Sequence, residues 1–510
     1  MRSRIVKMVK YNKLESVDLT DIVSEISKVF KTEKEKDEIN KVVYYDTFDW
    51  RLFKKNLCLT KNRNIYSISK LSGADSYSSL TLNSRKNLSF WWNFPESKLK
   101  NKLKSIIGIR ALIPMTTVDS TNQIYKLMNK DEKIIARLNF QKIKDKSTTG
   151  DNIGLIYLYP VRGYHEEFNK AKNILSGIGL KQNKKDILTI SLSTSNLKPG
   201  SYTGKLEIRL KPEFTTLQSA VLIFSNLLNT MKQNEEGIKN DTDTEFLHDF
   251  RVAVRRTRAA LSQLKAVFSE EITDKAKKEF SNLGKMTNHL RDLDVYLLNK
   301  ERYTKMLPRD LHPGLEPVFK ILENKRIKEQ IKITEYLNSD SYKNIINSWE
   351  DFLLNHEYEA VKSHNSDTPV IDIAKLFILK KYKNIIKTGK KFNEKTPDLD
   401  LHSLRIECKK LRYLLEFFTS LFTQDDMTLI IKQLKKLQDN LGDFNDLYVQ
   451  QESLKNFLKD YKNKDITASA LGGLIAVLYQ NQLVIRNEFT RKFEEFSTAD
   501  NIKLYNKLFS

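Results

Sequence analysis

The sequence predicts an α+β domain rich in antiparallel β-strands, followed by an all-helical domain. Before about Pro212, short runs of Val, Ile, Leu, Tyr and Thr alternate with polar segments, a pattern typical of strands. After Pro212, apolar residues recur at i, i+3, i+4 and i+7, which is the spacing of amphipathic helices. We therefore place the two domains at residues 1–211 and 212–510.

In the first domain the sequence predicts several strands and two helices. The helices are expected at Asp18–Phe30 and His165–Ile178. Ser72–Asn87 is rich in Ser and Asn and is expected to form a loop. The predicted strands are Lys41–Asp46, Leu57–Thr60, Ile107–Pro114, Ile134–Phe140, Ile153–Pro160 and Gly204–Lys211.

The second domain is predicted to be helical throughout, apart from two breaks. Leu307–Pro317 holds three prolines and a glycine, and Asp367–Pro369 is the second expected break. The apolar run Ile466–Tyr479 is shorter than the roughly 20 residues that a bilayer requires, so it predicts a buried core helix. The N-terminus has scattered charges and no apolar stretch of signal-peptide length. We expect a soluble, cytoplasmic protein with no membrane partner.

A basic helical motif occurs twice in the second domain. Both copies place basic residues 3, 7, 8 and 10 positions after a histidine, and the copies are 154 residues apart, which indicates an internal duplication. The first copy comprises His248, Arg251, Arg255, Arg256 and Arg258, and the second comprises His402, Arg405, Lys409, Lys410 and Arg412.

The spacing of this motif gives each helix a cationic face and an apolar face. At about 100° per residue, positions 0, +3, +7 and +10 fall within a stripe about 80° wide. The opposite face carries Phe250 and Val254 in the first copy and Leu404 and Cys408 in the second. Because like charges at this spacing repel one another, a polyanion that neutralises them is the best explanation of the stripe.

A solvated charged face is the alternative interpretation, and the distribution of arginine argues against it. The chain has 21 Arg among its 87 basic residues, yet four of them lie between Arg251 and Arg258. Arginine is the side chain suited to bidentate contact with phosphate. The two histidines, at matched positions, could donate to phosphate or could orient neighbouring side chains.

An acidic element follows each basic helix. It reads LRDLD at residues 290–294 and LGDFND at residues 441–446. A catalytic carboxylate site that acts on a polyanion would normally recruit a metal cluster, so we expect these residues to hold the Arg and Lys side chains through ion pairs. The sequence therefore predicts no catalytic residues, no metal site and no cofactor.

The net charge of +23 predicts phosphate-rich partners, but it is distributed unevenly. Residues 1–212 contain 40 Lys and Arg against 21 Asp and Glu, a balance of +19, and the remainder contains 47 against 43, a balance of +4. An anion site in the second domain must therefore depend on local placement of cations. The first domain could extend the anion-binding surface.

At the repeated motif the sequence resembles the CHAD family, the conserved histidine α-helical domain. LHDFRVAVRRTRAAL and LHSLRIECKKLRYLLEFF are similar to its two signatures, and LRDLDVYL and LGDFNDLYV are similar to the segments that follow them. The resemblance spans Phe214–Ser510. It implies two helical bundles related by pseudo-twofold symmetry, here about 212–310 and 365–510. It also implies a basic groove that binds inorganic polyphosphate through the ten residues of the motif.

The first domain resembles a CYTH domain, the triphosphate-tunnel fold, in YYDTFDWRLFKKNLCLTK and IRALIPMTTVDSTNQIYKL. In that family the first strand carries Glu-x-Glu-x-Lys, which supplies metal-binding carboxylates. The corresponding segment here, IVKMVKYNKL, has no glutamate pair. Metal-assisted hydrolysis of triphosphate needs such carboxylates. We therefore expect a degenerate CYTH-like domain without catalytic activity.

The leading hypothesis is a non-enzymatic protein that binds inorganic polyphosphate along the paired basic helices. Two alternatives are a metal-dependent triphosphatase in the first domain and a nucleic-acid-binding protein. Other polyanions, including RNA, are further candidate partners, because a basic stripe does not distinguish one phosphate chain from another. Association with polyphosphate granules is a further expectation, and the sequence predicts no oligomeric state.

Overall fold

The computed structural model describes residues 8–12, 18–35, 37–71, 76–82, 87–144, 153–183, 188–189, 192, 197–355, 357–393, 395–461 and 466–510. The chain divides into two compact units, Met1–Thr203 and Gly204–Ser510. The first is built on an antiparallel β-sheet and the second is helical, so the predicted fold class is confirmed.

The described part of the first unit contains one sheet of nine antiparallel strands. Their order across the sheet is β1-β9-β8-β7-β3-β4-β5-β6, and β2 pairs with β7 beside this path. In chain order the strands are β1 (Val9–Asn12), β2 (Lys31–Lys34), β3 (Glu38–Asp46), β4 (Leu57–Asn62), β5 (Ile65–Lys70), β6 (Ser76–Thr81), β7 (Ile113–Met128), β8 (Ile134–Lys144) and β9 (Ile153–Pro160).

Among the described residues, the helices that pack on this sheet include α1 (Leu19–Ser27), α2 (Lys98–Ile107) and α3 (His165–Gly177). Helices α1 and α3 pack with β7, β8 and β9 in one apolar core, and α2 packs on β3, β4 and β5 in another. Alternate side chains of a strand point to opposite faces. A third apolar cluster, which includes Tyr44 and Val118, therefore covers the other face.

The predicted strands within β3, β4, β8 and β9 are confirmed, as are both predicted helices. Three predictions are wrong. In Ile107–Pro114, residue 107 ends α2 and Gly108 leaves the helix at φ +57°, so β7 begins only at residue 113. In Gly204–Lys211, the backbone N–H of Leu210 donates to Ser420 Oγ at 2.8 Å instead of pairing with a strand.

The third wrong prediction is the loop at Ser72–Asn87. Residues 76–81 form β6, which pairs with β5, while residues 72–75 and 83–86 lie outside the described residues. Helix α2 and strands β1, β2 and β5 are not among the predicted elements. Strand β2, with the sequence KTEK, lacks the alternation of apolar and polar residues that marks a half-buried strand, and β1 shows this alternation over four residues only.

The described part of the second unit is helical, with short 3₁₀ segments between some helices. Its helices are α4 (Thr216–Lys239), α5 (Thr244–Gln263), α6 (Glu270–Met286), α7 (Asn288–Leu298), α8 (Lys300–Lys305), α9 (His312–Asn338), α10 (Asp340–Leu354), α11 (Val370–Gly389), α12 (Asp398–Phe418), α13 (Gln424–Asp460), α14 (Ile466–Phe496) and α15 (Ala499–Phe509).

The duplication is visible as two helical hairpins, α4–α5 and α11–α12, whose second helices contact each other. Each copy has an aromatic core. In the first, Trp349 packs edge-on against Phe224 and Phe280. In the second, the rings of Tyr382 and Tyr505 stack with centroids 3.6 Å apart. The long helix α9 packs on α14 in a further apolar cluster, so the two bundles share a core.

The predicted break at Asp367–Pro369 is confirmed, because α11 begins at residue 370. The predicted connection Leu307–Pro317 is too long, because α9 already begins at residue 312. Proline is tolerated in the first turn of a helix, because backbone N–H groups there have no carbonyl acceptor within the helix. Gly314 lets α9 approach α14, since a Cβ there would lie 2.5 Å from the Ile466 carbonyl oxygen.

Helix α14 contains the apolar run noted in the sequence. Within the described residues it is the one helix whose length and composition would suit a membrane span. One of its faces, which includes Leu471, Leu474 and Leu478, is buried in the cluster shared with α9. Those residues therefore form part of the protein core, as the sequence predicts.

A test of the first hairpin is Gly237→Ala. A Cβ at this position would lie 2.1 Å from the Phe246 ring, so α4 and α5 must separate to admit it. We expect the free energy of unfolding to fall by about 1–3 kcal/mol, as for other overpacked sites, in urea denaturation. The control is Gly472→Ala, at an exposed position of α14 with open space around it, which should be neutral or stabilising. Equal losses in both variants would contradict this packing.

Candidate functional site

Helices α5 and α12 carry the two basic motifs and lie side by side. Helix α5 begins after Asp243, whose side chain accepts a hydrogen bond from the Glu245 backbone N–H. The faces predicted to be apolar are buried, with Phe250 and Cys408 fully enclosed. The apolar faces thus anchor the two helices in their cores, which leaves the cationic faces near their mutual contact.

Two polar contacts join α5 to α12 directly. Arg255 Nε donates to Tyr413 Oη at 2.6 Å. The Glu416 carboxylate bridges the copies, since Oε2 accepts from Arg256 at 2.8 Å and Oε1 from Arg412 at 2.7 Å. Both oxygens of one carboxylate are therefore occupied by cations from opposite copies of the motif.

A cavity of about 940 Å³, which we call the central cavity, opens between these helices and α7, α9 and α13. The +3 and +7 residues of both motifs line it together. Helix α9 adds a fifth cation. The five are Arg251, Arg255, Lys325, Arg405 and Lys409. Residues 154 positions apart in the sequence thus form one cationic wall.

Burial lowers the pKa of three of these cations, Arg251, Arg405 and Lys409. Burial lowers the pKa of Lys409 to about 8, and the nearby charges of Arg405 and Arg255 add to the lowering. Burial likewise lowers the pKa of Arg251 to about 10, with Arg255 contributing, while Asp292 opposes the shift. Both directions show that the folded chain holds positive charge here against desolvation and mutual repulsion.

Carboxylates neutralise part of this charge. Asp446 accepts from Arg405 at 3.2 Å, and the charge of Asp292 acts on Arg251. Both carboxylates line the cavity, so its five cations and two carboxylates leave a net charge of +3 with histidine neutral. The acidic element after the second motif thus pairs with its +3 arginine, as expected from the sequence, whereas Asp292 of the first element acts on Arg251 through its charge. In contrast, Asp294 of the first element pairs with Arg326 at 2.8 Å.

The +3 arginines differ in how fully their donors are satisfied. Arg251 donates to Thr287 Oγ1 at 2.8 Å, to the Gly284 carbonyl at 3.1 Å and to Asn288 Oδ1 at 2.7 Å. Arg405 Nε is buried and has no hydrogen-bond acceptor among the described residues. A buried donor without an acceptor is unfavourable unless a ligand supplies one.

The other six predicted residues do not line the central cavity. Arg256 and Arg412 share Glu416, and Lys410 donates to Glu407 at 2.7 Å. Arg258 is exposed beside Gly284. These outer cations lie on the same two helices but do not reach the cavity. Position +8 points to one side of the cationic stripe, and position +10 lies almost one helical turn beyond position +7.

The histidines are likewise outside the cavity lining. His248 is partly buried. His402 Nδ1 lies 2.5 Å from Asn445 Oδ1, so the ring N–H donates to this amide. Asn445 lines the cavity beside Asp446, which supports an orienting role for the second histidine.

Several residues that line the cavity or join the two basic helices lie outside the predicted motif. Tyr413 occupies position +11 of the second copy, where the first copy has Ala259. An alignment of the two copies therefore does not identify Tyr413 as part of the site. Lys325 and Phe457 come from α9 and α13, and Lys325 Nζ lies 5.8 Å from the centroid of the Phe457 ring. The sequence offers no motif around them; only the fold brings them to the site.

In the first unit, the Tyr-Asp-Thr segment has a structural role. The buried Asp46 carboxylate accepts from the backbone N–H groups of Thr47, Leu52 and Phe53 at 2.7–2.9 Å. Burial raises the pKa of Asp46 to about 6, although these three hydrogen bonds oppose the shift. The carboxylate therefore closes the turn after β3, with its oxygens occupied by backbone donors.

Residues 222–455 match the sequence profile of the CHAD domain, a region that includes both basic motifs and the cavity-lining helices up to Lys455. The second unit contains a CHAD domain. The five cations of the central cavity all lie within the matched residues.

Two of the solved structures to which the chain is similar cover more than half of it. The crystal structure of the CHAD domain from the plant Ricinus communis is 21% identical, covering 57% of this chain and 95% of that one, with a TM-score of 0.48. PptA from Streptomyces chartreusis is 12% identical, covering 55% and 100% of the two chains, with a TM-score of 0.42. No curated protein matches the sequence.

Replacing Lys409 by Met should stabilise the free CHAD unit. The folded protein binds this proton less tightly than the unfolded chain, since folding lowers the pKa of Lys409 from 10.5 to about 8. At pH 7 we expect Lys409→Met to raise the free energy of unfolding by about 1 kcal/mol after allowance for solvent screening. The gain should shrink as pH rises from 8 to 10.5 in urea titrations.

The matched control is Lys410→Met, on the same helix, which removes a partly exposed ion pair with Glu407. It should be neutral or slightly destabilising. If both variants stabilise the protein equally, the gain comes from the removal of any positive charge on this helix. The destabilisation attributed to the lowered pKa of Lys409 would then be wrong.

Proposed function

We propose that the CHAD unit binds inorganic polyphosphate at the central cavity and does not turn it over. The observation that carries this proposal is the convergence of the +3 and +7 cations of both motifs. Four cations from two helices line one cavity with only two carboxylates among them. Guanidinium groups bind phosphate oxygens through paired N–H donors, and a lysine adds a compact charge.

The energetics of the free site support the same proposal. Lys409 and Arg251 hold their charge at reduced pKa, and Arg405 Nε is buried without an acceptor among the described residues. A phosphate chain would accept from that donor and offset the repulsion between neighbouring cations. Binding would therefore relieve interactions that disfavour the empty site.

The outer cations extend this surface. Arg258 is exposed, and Lys410 and Arg412 are only partly buried. We propose that longer polymers follow these residues beyond the cavity, where exposed charges contribute in a salt-dependent way. Polyphosphate is the proposed partner, and a cytoplasmic location, with or without polyphosphate granules, stays a prediction from the sequence.

For the first unit we propose a non-catalytic role in a CYTH-like fold, with which its antiparallel sheet is compatible. The residues that the structure describes in this unit do not suit a divalent cation. The sheet face that carries Val118 also carries neutral pairs, with Asn139 donating to Asn122 at 3.1 Å and Gln141 to Ser120 at 3.2 Å. The described residues hold no cluster of three or more His, Cys, Asp or Glu suited to a metal.

The binding site can be tested with a triple variant, Arg255→Gln, Arg405→Gln and Lys409→Gln. It removes three cavity cations without introducing opposite charge. We expect affinity for long-chain polyphosphate to fall at least about 100-fold, because each lost contact is a charge-assisted hydrogen bond. The affinity is measured by isothermal titration calorimetry at about 150 mM salt, which is close to physiological ionic strength. Circular dichroism checks that the variant is folded.

The matched control is Arg258→Gln, Lys410→Gln and Arg412→Gln, which removes the same charge from the same two helices outside the cavity. It should weaken binding only a few-fold. Equal losses in the two triple variants would show that diffuse charge, and not the central cavity, determines affinity.

The proposed absence of catalysis is tested with inorganic triphosphate. The full chain, incubated with Mg²⁺ or Mn²⁺, should release no phosphate above the protein-free rate over several hours in a colorimetric assay. The reason is that the described residues hold no cluster of three or more His, Cys, Asp or Glu that could bind the metal such a hydrolase needs. Metal-dependent release that scales with protein concentration would contradict this proposal.

A further inference from the structure

The central cavity has two unlike walls. Helices α5 and α12 supply the cationic wall, which carries four of the five cations. The opposite wall comes from α7, α9 and α13 and presents Leu322, Val449 and Phe457 to the same space. Val449 is 51% exposed, so this apolar surface is accessible in the free protein. An inorganic phosphate chain is charged along its whole length and has no part that would gain from contact with this wall.

The apolar wall includes an aromatic pair. The rings of Phe457 and Tyr461 are nearly parallel, at 19°, with centroids 6.2 Å apart. Lys325 lies over the Phe457 ring, with Nζ 5.8 Å from its centroid. A planar, electron-poor or polarisable group can stack on such a surface. Beside it, the side chains of Gln450 and Asn456 line the cavity and can exchange hydrogen bonds with the edge of a ring.

The charge and size of the cavity limit its ligand. Its five cations and two carboxylates give a net charge of +3. This is close to the charge of a short phosphate chain and far below that of a long polymer. The volume of about 940 Å³ lies within the range of roughly 300–1,000 Å³ that is usual for small-molecule sites.

We propose that the central cavity binds a nucleoside polyphosphate, with the phosphates on the cationic wall and the base on the aromatic wall. The phosphates contact Arg255, Arg405 and Lys409, and in this respect the inference rests on the proposed function. The base stacks against Phe457 and contacts Val449. The same cations thus serve short phosphate chains that carry a nucleoside as well as the inorganic polymer.

The test compares ATP and GTP with inorganic triphosphate, which has the same number of phosphates and no nucleoside. Each is titrated into the full chain by calorimetry in the presence of EDTA, so that metal complexes do not contribute. We expect the better nucleotide to bind at least about tenfold more tightly than inorganic triphosphate, the usual effect of stacking one base on an aromatic side chain.

Variants assign this preference to the wall. Phe457→Leu keeps an apolar side chain but removes the ring, so it should lower nucleotide affinity about tenfold and leave triphosphate affinity unchanged. Tyr448→Leu removes an exposed ring from the same helix outside the cavity and should change neither affinity. Arg405→Gln should weaken both ligands. If Phe457→Leu lowers the melting temperature, the half-exposed Val449→Ser tests the same wall with less risk to the core.

The outcomes separate this inference from the proposed function. Equal affinity for nucleotides and inorganic triphosphate, unaffected by Phe457→Leu, would overturn the nucleoside site and leave polyphosphate binding intact. Binding of long polyphosphate alone would have the same meaning. An oligoribonucleotide that binds more tightly than either nucleotide would overturn it in favour of an RNA strand. Failure of every phosphate compound to bind would overturn both proposals.

Discussion

The contact between α5 and α12 is the constraint on which the site depends. Each helix could turn its cationic face to water at little electrostatic cost, because water screens exposed charges. The Arg255–Tyr413 hydrogen bond and the Glu416 bridge instead tie the two faces together. Once the helices are held in this way, the +3 and +7 residues of both copies must share one cavity. The duplicated sequence supplies the cations, and the helix contact determines which of them meet.

This arrangement concentrates unfavourable electrostatic interactions in the central cavity of the free protein. Glu407 and Glu416 of α12 pair with three of the outer cations, whereas the four cavity cations of the motifs share Asp292 and Asp446. The lowered pKa of Lys409 reflects the remaining imbalance. A protein selected for stability alone would place an apolar side chain here. A cation that is retained at a position where burial and neighbouring charges disfavour its positive charge is typical of a functional site.

The sequence predicts the large features of this molecule and misses those that depend on distant neighbours. The change of hydrophobic period separates the two domains, and the repeated motif locates α5 and α12, because both signals are local and long. The strand predicted at Gly204–Lys211 is not formed, and the backbone N–H of Leu210 in this segment bonds to Ser420, about 210 positions away. Likewise, Pro317 suggests a break, yet it lies within α9, where packing on α14 keeps the helix continuous.

The same limit applies within the site. Identical offsets correctly pair Arg251 with Arg405 and Arg255 with Lys409, but helical periodicity alone cannot show that +8 and +10 leave the cavity. That outcome depends on where α13 and α9 cover the basic faces. Tyr413 is invisible to the repeat because its counterpart is Ala259. The aromatic wall is invisible because Phe457 belongs to a helix without the motif.

The distribution of charge connects these observations. Residues 213–510 carry a balance of only +4, with 47 cations against 43 carboxylates, while the central cavity alone carries +3. Away from the cavity the helical unit is therefore nearly neutral in sum. Charges of both signs that alternate over a surface cancel within about a Debye length, roughly 8 Å at physiological ionic strength. The excess positive charge of this unit is therefore concentrated at the cavity, and a charge placed in this way would favour an anion there over the outer helices. The modest total charge of this unit is thus compatible with selective anion binding, because selectivity depends on the contrast between the cavity and its surroundings.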